Sequence, residues 1–361
     1  MVRLKTYRVA IIGLGRMGST IDDEGHTELP YSIAASTLAS DRLELAAGCD
    51  IDRGKREAFR ERWKVQAVYE DLRTMIKEEQ PDLVAVCTAA CAPKPAREAP
   101  DNSFRGDSHA ELGTAVAELK VPMLYLEKAM ASSLAAADSV KAAVEGNGTV
   151  FNSGVLRRFD CRYEPARQAV LDGRIGTPKA AVAYASTNLL HGHIHSIDTL
   201  SWLLGDPAIT AVRGELLPRD LEIDGFLPSD PQATYQLQFA NGVEASSVAA
   251  GEWEFEVIGD AGAVRNFNNG AYNGLRLRPE DTERRYAWEE SRLAELPPKG
   301  TAVSCLEDLV RAYESGQPTR GHVGVAHHVT EACFAIAESH KRGGTWIELP
   351  LQDRDTYIFH I

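Results

Sequence analysis

Residues 7–18 constrain the fold more than any other stretch of the sequence. Residues 9–12 form a short apolar run rich in β-branched side chains, which is typical of a buried parallel strand. The run leads directly into three glycines spaced Gly-x-Gly-x-x-Gly, at Gly13, Gly15 and Gly18. Such glycines allow a tight turn, close approach of the backbone to a pyrophosphate, and close packing of a helix on a strand. The segment therefore predicts a dinucleotide-binding turn with the pyrophosphate at the N-terminus of the next helix, and a plain strand-to-helix turn is the alternative.

An acidic residue at the end of the second predicted strand supports a dinucleotide site. Residues 43–50 read as this strand and end in Asp50. A carboxylate there accepts hydrogen bonds from the adenosine ribose and repels a 2′-phosphate, so it favours NAD over NADP. Asp50 lies farther from Gly18 than the usual ~20 residues, which we interpret as an insertion at 20–30 before a helix over 31–39. Arg53 is placed to bind a 2′-phosphate instead, which keeps NADP as the alternative cofactor.

Strand-like and helix-like segments alternate up to about residue 154 and predict a doubly wound parallel sheet, the Rossmann architecture. Two further strands, over residues 81–88 and 121–126, end at Thr88-Ala89 and at Glu127-Lys128. Ligands of such sheets bind at the carboxyl ends of the strands. We therefore expect the strand ends to form one site, with Gly13, Asp50, Thr88 and Lys128 at the same edge.

The second half of the chain has a different pattern. From residue 155, short alternating strands dominate and predict an α+β domain with a large, mostly antiparallel, open-faced sheet. The expected domains are residues 1–154 for cofactor binding and 155–361 for substrate binding and oligomerisation, with the C-terminal helix packing back on the first domain. A long loop over residues 92–108 has no apolar periodicity, and such loops are more often functional than idle.

Composition excludes several classes of partner. The 361 residues carry a net charge of −13, which disfavours nucleic acid and anionic membranes as partners. We expect neither a signal peptide nor a membrane span, because no apolar run approaches ~18 residues. The six cysteines are scattered without a Cys-x-x-Cys pair, which is typical of reduced thiols in a cytoplasmic protein.

Taken together, these motifs resemble the glucose–fructose oxidoreductase, inositol dehydrogenase and rhizopine catabolism family, over nearly the full length. The first-domain motifs of the family have counterparts in the glycine turn, in Cys49-Asp50, in Thr88-Ala89 with His109, and in Glu127-Lys128. The second-domain motifs correspond to Arg157-Arg158-Phe159, Ile175-Gly176 and His191-x-x-x-His195-x-x-Asp198. The resemblance implies an NAD(P)-dependent oxidoreductase for a sugar, cyclitol or sugar derivative, assembled as a homodimer or homotetramer.

The resemblance also implies roles for individual residues. Hydride transfer from an alcohol requires a base for the hydroxyl proton and a donor that stabilises charge on oxygen. The family uses a lysine and a histidine, which correspond to Lys128 and His195. Substrate contacts are expected from Arg157, His191 and Asp198. Cofactor contacts are expected from Gly13, Gly15, Arg16, Met17, Gly18, Asp50, Arg53, Thr88, Ala89, His109, Glu127 and Lys128.

Alternatives remain open for the residues and for the activity. Lys128 could be a solvated surface lysine and His195 a structural histidine at a helix start. Ala129 replaces the family's proline, and His191 replaces its aspartate. If residues 191–195 form a strand, the three histidines share a face and could bind a divalent metal, although we expect no metal. The other candidate activities are a glycosidase that retains NAD and a non-catalytic cofactor sensor, and a sensor should lack the two acid–base residues.

Overall fold

The computed structural model describes residues 5–25, 30–91, 107–279, 288–297 and 299–360. The chain divides into two compact units, each built around its own sheet. The first unit comprises residues 1–159, 299–327 and 359–361, and the second comprises residues 160–298 and 328–358. The assignment of cofactor binding to residues 1–154 and of substrate binding to residues 155–361 stays a prediction.

The strands within the described residues are β1 (Tyr7–Ile12), β2 (Leu43–Cys49), β3 (Val68–Tyr69), β4 (Leu83–Val86), β5 (Met123–Leu126), β6 (Val150–Ser153), β7 (Pro178–Ala185), β8 (Ile209–Leu217), β9 (Phe226–Leu227), β10 (Gln232–Phe239), β11 (Glu244–Val248), β12 (Glu252–Gly259), β13 (Gly262–Phe267), β14 (Tyr272–Leu277), β15 (Glu289–Arg292), β16 (Ile347–Glu348) and β17 (Tyr357–Ile358).

The α-helices are α1 (Ile33–Leu38), α2 (Arg53–Trp63), α3 (Leu72–Glu79), α4 (Ser108–Glu118), α5 (Leu134–Asn147), α6 (Glu164–Leu171), α7 (Ile194–Leu203), α8 (Thr301–Ser315) and α9 (Val323–Lys341). Short π-helical segments span Arg16–Thr20 and Leu189–His193, and 3-10 turns span Ile21–Glu24 and Leu156–Phe159.

The first unit contains a parallel sheet in the order β3-β2-β1-β4-β5-β6. Its buried apolar side chains, such as Ile11 and Leu83, share one core cluster with Leu306 and Leu309 of α8. Ile12 is paired with both Cys49 and Val86, so the ends of β1, β2 and β4 lie level at one edge of the sheet. The predicted doubly wound parallel sheet is therefore confirmed.

The first α-helix after the glycine turn lies within the predicted range of residues 31–39. Before it, the π-helical segment and a 3-10 turn lead into the predicted insertion at 20–30. The carboxylate of Asp22 explains why the chain turns back, because it accepts hydrogen bonds from the backbone N–H groups of Tyr31 and Ser32 at 2.7 and 3.2 Å. Helix α1 begins only after this contact, with Ser32 as its N-cap.

The second unit contains a larger sheet in the order β15-β14-β13-β12-β7-β11-β10-β8-β16. Its pairs are antiparallel except for β7 with β11, which confirms the predicted, mostly antiparallel sheet. Helix α9 packs closely on β8, since a Cβ atom at Gly214 would lie 2.9 Å from Cγ2 of Ile336.

The cysteines match the predicted pattern of core thiols. All six lie in described residues, none is joined by a disulfide, and five of the six are buried. Within the same residues, no helix combines the length and the apolar character that a membrane crossing needs.

Candidate functional site

The glycine turn at the end of β1 is packed too tightly for any other residue. Gly13 has a φ angle of +89°, and a Cβ atom there would lie 2.6 Å from the backbone nitrogen of Thr88. A Cβ atom at Gly18 would lie 2.0 Å from the carbonyl oxygen of Gly13. Because a side chain would clash at both positions, the turn keeps the bare backbone surface that a pyrophosphate needs.

Asp50 closes the other side of this turn. One carboxylate oxygen accepts a hydrogen bond from the backbone N–H of Leu14 at 2.9 Å, and the other accepts from the N–H of Asp52 at 2.9 Å. Each carboxylate oxygen has two acceptor positions, so capacity remains for a ribose diol. The buried carboxylate of Asp50 and the partly exposed Gly15 together fit the adenosine half of NAD.

The remaining predicted residues near this turn lie on two short segments. Arg16 forms a two-point ion pair with Glu24 at 2.6 and 2.8 Å, which raises the pKa of Arg16. Met17 is partly buried and packs against the core. Arg53 is the exposed first residue of α2. Arg16 and Met17 thus lie within the glycine turn, whereas Arg53 follows Asp50 by three residues.

A cavity of about 670 Å³ lies beside the turn, and several residues that line it were not predicted as site residues from the sequence. It is lined by Leu14, Gly15, Ser19 and Thr20 on one side and, on the other, by Lys55, Ala58, Phe59, Glu61 and Arg62 of α2 and by Lys64, which follows the helix. The ammonium nitrogen of Lys55 lies 3.8 Å from the position of a Cβ atom at Gly15. Lys55 therefore brings a positive charge to the phosphate-binding turn. The sequence feature that could have identified Lys55 is its position in the first turn of the helix that follows Asp50.

Glu127 is buried and anchors the backbone of Lys128. Its carboxylate accepts hydrogen bonds from the Tyr125 hydroxyl and, at 3.1 Å, from the backbone N–H of Lys128. A Cβ atom at Gly154, on the neighbouring chain segment after β6, would lie 2.8 Å from this carboxylate. The peptide bond between Lys128 and Ala129 is cis. Glu127 thus binds the backbone N–H of Lys128 and holds this residue at the carboxyl end of β5.

His109 and Thr88 occupy the neighbouring strand end. The two ring nitrogens of His109 lie 2.8 Å from the carbonyl oxygens of Ala129 and Thr88, and the residue is buried. The Thr88 hydroxyl lies 3.2 Å from the hydroxyl of Ser108. Ala89 follows Thr88 and is exposed. Since both nitrogens of His109 already face carbonyl oxygens, its role as a direct cofactor ligand is not supported by this geometry.

Arg157 and Arg158 lie in the 3-10 turn at the end of the first unit. Arg158 is almost fully buried and donates to the carbonyl oxygen of Arg320 at 2.7 Å, so it has a structural role. Arg157 is only partly buried. Of the two arginines, Arg157 is therefore the better candidate for a substrate contact.

The histidine run belongs to the second unit and is helical. Residues 189–193 form the π-helical segment, and α7 starts at Ile194. Residues 191–195 therefore do not form the strand that a shared face for all three histidines would require. On a helix, residues two apart point to different sides, whereas residues four apart are neighbours. Accordingly His193 is fully buried, whereas His191 is exposed and His195 is partly exposed. His191 and His195 remain together on one side.

The three histidines have different surroundings. Nε2 of His193 lies 2.9 Å from the carbonyl oxygen of Ala233, and burial lowers the pKa of His193 to about 4. The ring of His195 meets Trp253 edge to face, with 5.9 Å between the ring centroids. Asp198, one turn farther along α7, is buried. His193 is thus a neutral core histidine, whereas His195 has the partly exposed position that proton transfer needs.

No metal-binding cluster is found in residues 5–25, 30–91, 107–279, 288–297 and 299–360, where three or more His, Cys, Asp or Glu side chains nowhere converge on one point. The insertion at 20–30 is described in part, and most of the loop over residues 92–108 lies outside the described residues.

Two inositol 2-dehydrogenases are similar to this chain in sequence. A myo-inositol 2-dehydrogenase of Thermotoga maritima is 28% identical over 173 residues, which is 47% of this chain and 42% of that protein. The match to this relative thus spans less than half of its length. An inositol 2-dehydrogenase of Paracoccus denitrificans is 23% identical over 377 residues, covering 97% of this chain and 98% of that protein.

Solved structures share the fold. An aldose–aldose oxidoreductase from Caulobacter crescentus, complexed with glycerol, superposes with a TM-score of 0.74 at 18% identity and covers 96% of this chain and 100% of that one. An inositol dehydrogenase homolog from Azotobacter vinelandii, complexed with NADH and myo-inositol, has a TM-score of 0.72 at 16% identity and covers 95% and 98% of the two chains.

Two family profiles span most of the chain. The profile described as "Oxidoreductase family, NAD-binding Rossmann fold" matches residues 7–155, and that of the family's C-terminal alpha/beta domain matches residues 185–349. The glycine turn, Asp50 and Lys128 all lie within the first match. The chain therefore belongs to the glucose–fructose oxidoreductase, inositol dehydrogenase and rhizopine catabolism family of NAD-binding oxidoreductases.

Proposed function

We propose that the protein is an NAD-dependent dehydrogenase or reductase that acts on a hydroxyl-bearing carbon of a sugar, cyclitol or sugar derivative. The observation that carries this proposal is the anchoring of Lys128 by Glu127 at the end of β5. The glycine turn and Asp50 belong to the same sheet and the same unit. The inositol dehydrogenases among the relatives support the substrate class.

The proposed chemistry divides between the bound cofactor and the protein. Nicotinamide, when bound, supplies the acceptor or donor of the hydride. In the oxidative direction the unprotonated amine of Lys128 takes the proton from the substrate hydroxyl, and in the reductive direction the ammonium group returns that proton to the carbonyl oxygen. His195 shares this work, because its ring is partly exposed and its orientation is fixed by Trp253.

We assign the substrate hydroxyls to Arg157, His191 and Asp198. Arg157, His191 and Asp198 together offer hydrogen-bond donors and acceptors, which suits a polyhydroxylated substrate. The cofactor contacts remain those predicted from the sequence, apart from His109. We add Lys55, because its ammonium group lies beside Gly15.

We also propose that the protein is a cytoplasmic homo-oligomer. The absence of any disulfide among its six cysteines supports a reducing compartment. Arginine and aromatic side chains stack on strands β13 to β15 of the second unit, including Arg265 on Phe267 and Arg292 on Tyr272. Arginine and aromatic residues are enriched at protein interfaces, which supports self-association through this sheet.

The decisive experiment is a substrate panel read at the nicotinamide absorbance. Purified protein with NAD is mixed with inositols, aldoses and glycosides, and products are identified by mass spectrometry. We expect NADH to form with at least one polyol and to be absent with Lys128→Ala. Release of an aglycone without net NADH would establish the NAD-retaining glycosidase instead. Tight NAD binding without turnover of any compound, together with intact binding of a regulatory partner, would establish the cofactor sensor.

A further inference from the structure

The N-terminus of α4 ties together the two backbone segments that follow β4 and β5. Asp107, its N-cap, accepts a hydrogen bond from the backbone N–H of Ala110 at 3.2 Å with one carboxylate oxygen. The other oxygen accepts from the N–H of Ser132, beyond the end of β5. Ser108 donates to the carbonyl oxygen of Ala90, beyond the end of β4, at 3.0 Å. Three consecutive residues, 107–109, thus hold both segments.

Of these three residues, His109 contacts the backbone nearest to Lys128 in sequence. Its Nδ1 atom lies 2.8 Å from the carbonyl oxygen of Ala129, the residue directly after Lys128, and its Nε2 atom lies 2.8 Å from that of Thr88. Ring nitrogens donate to carbonyl oxygens only when they carry hydrogen, so the ring satisfies both carbonyls only if both nitrogens are protonated. On the other side, Glu127 holds the N–H of Lys128. The backbone around the lysine is thereby fixed on both flanks.

We propose that His109 is a positioning residue for Lys128, acting through the bridge from Thr88 to Ala129, and that it is not a cofactor ligand. This inference rests on the proposed role of Lys128. Loss of the ring would remove the bridge between the carbonyl groups of Ala129 and Thr88, and the segment from which Lys128 projects would shift. A displacement of about 1 Å at a catalytic group lowers the rate by about 100-fold.

Chemical rescue separates bridging from simple space filling. In His109→Ala, we expect kcat to fall by about 100-fold while the dissociation constant of NAD changes by less than about twofold. Imidazole, which has two ring nitrogens, should restore much of the rate. 1-Methylimidazole, in which one nitrogen is blocked, should not. Equal rescue by both compounds, or a loss of NAD affinity as large as the loss of kcat, would overturn the proposal.

The labelling of Lys128 by acetic anhydride in the cofactor-free protein gives a readout that needs no turnover. Mass spectrometry compares its acetylation rate with that of Lys141, which lies on α5 in the same unit. We expect His109→Ala to change this ratio and imidazole, but not 1-methylimidazole, to return it. An unchanged ratio overturns the positioning role. Because this test needs no substrate, it stands even if the proposed dehydrogenase activity fails.

His327→Ala is the matched control for loss of a buried histidine ring. His327 lies in the first unit and contacts the Asp138 carboxylate at 2.7 Å. We expect a loss of thermal stability without an imidazole-specific change in kcat or in Lys128 labelling. If His109→Ala fails to fold, His109→Gln carries the same test, because its amide retains one donor for one of the two carbonyls and should give an intermediate rate.

Discussion

The carboxylate of Asp50 accepts a hydrogen bond from the backbone N–H of Leu14, between the first two glycines of the phosphate-binding turn. This contact joins the end of β2 to the turn after β1, so the carboxylate that we propose as the ribose ligand also shapes the glycine turn. A substitution at Asp50 therefore has two effects, one on cofactor preference and one on the turn.

We predict that the protein binds NAD more tightly than NADP, by about 10-fold or more, because the 2′-phosphate would face the Asp50 carboxylate. Calorimetry with both cofactors measures the ratio. Asp50→Asn keeps the shape and removes the charge, so it should narrow the preference, while Arg53→Ala serves as the comparison. A clear preference for NADP in the unmodified protein would refute the assignment and make Arg53 or Lys55 the phosphate ligand.

A second prediction concerns Lys128. Lys128→Ala should lower kcat by about 100-fold or more, within the range that general acid–base groups supply. The cofactor should stay bound and the thermal midpoint should hardly change, because the contact from Glu127 goes to the backbone N–H. Rapid-mixing kinetics and calorimetry check both parts. Retention of most of the rate would move the proton-handling role elsewhere, with His191 the next candidate.

A third prediction uses the helical spacing of His191 and His195. His195 must be neutral to accept a proton, so oxidation should fall at acidic pH. A carboxylate one turn away would stabilise the protonated ring, so His191→Asp should raise the pKa of His195. The acidic limb of the rate profile should then move to higher pH. His191→Asn, of similar size and without charge, should leave the limb in place, and equal profiles for both variants would contradict the argument.

A fourth prediction follows from the burial of His193. Burial lowers the pKa of His193 to about 4 from 6.5, so the unfolded chain binds more protons than the folded one between these values. The free energy of unfolding is therefore unaffected by His193 above pH 6.5. It decreases as the pH falls from 6.5 towards 4, by about 3 kcal/mol in total. Urea titrations at several pH values should show this slope. In His193→Gln, which keeps a donor for Ala233, the slope over this range should be smaller.

We further predict that activity survives exhaustive chelation. Across the described residues no three metal-binding side chains converge, and within the 191–195 run the buried His193 is separated from His191 and His195. Elemental analysis should find less than stoichiometric zinc or manganese. Loss of activity on chelation, with recovery on adding either ion, would restore the metal hypothesis.

The sequence was sufficient for the parts of the site that depend on strand ends. Glycine spacing and apolar runs locate the ends of β1, β2, β4 and β5, and a parallel sheet brings such ends to one edge. It was insufficient where a distant contact decides the local structure. The sequence predicted the insertion at 20–30, but it did not predict that the carboxylate of Asp22 would accept hydrogen bonds from the backbone N–H groups of Tyr31 and Ser32 before helix α1.

The histidines show the same limit. Alternation of residues 191, 193 and 195 suits a strand, but the chain there is helical, which separates His193 from the other two. His109 was assigned to the cofactor from a motif, whereas its partners, Thr88 and Ala129, lie 21 and 20 residues away in sequence. Roles set by such contacts require coordinates.

Gly154 shows how far the requirements of the proposed catalytic lysine, Lys128, extend to a residue outside the predicted site. A methyl group there would press on the carboxylate of Glu127 and on the hydroxyl of Tyr125, at 2.8 and 2.9 Å. In a saturation library, position 154 should therefore tolerate substitution as poorly as Lys128 itself, although a map of ligand contacts would mark it as neutral. Engineers who wish to change the substrate should accordingly leave the strand behind the lysine untouched and vary the second unit.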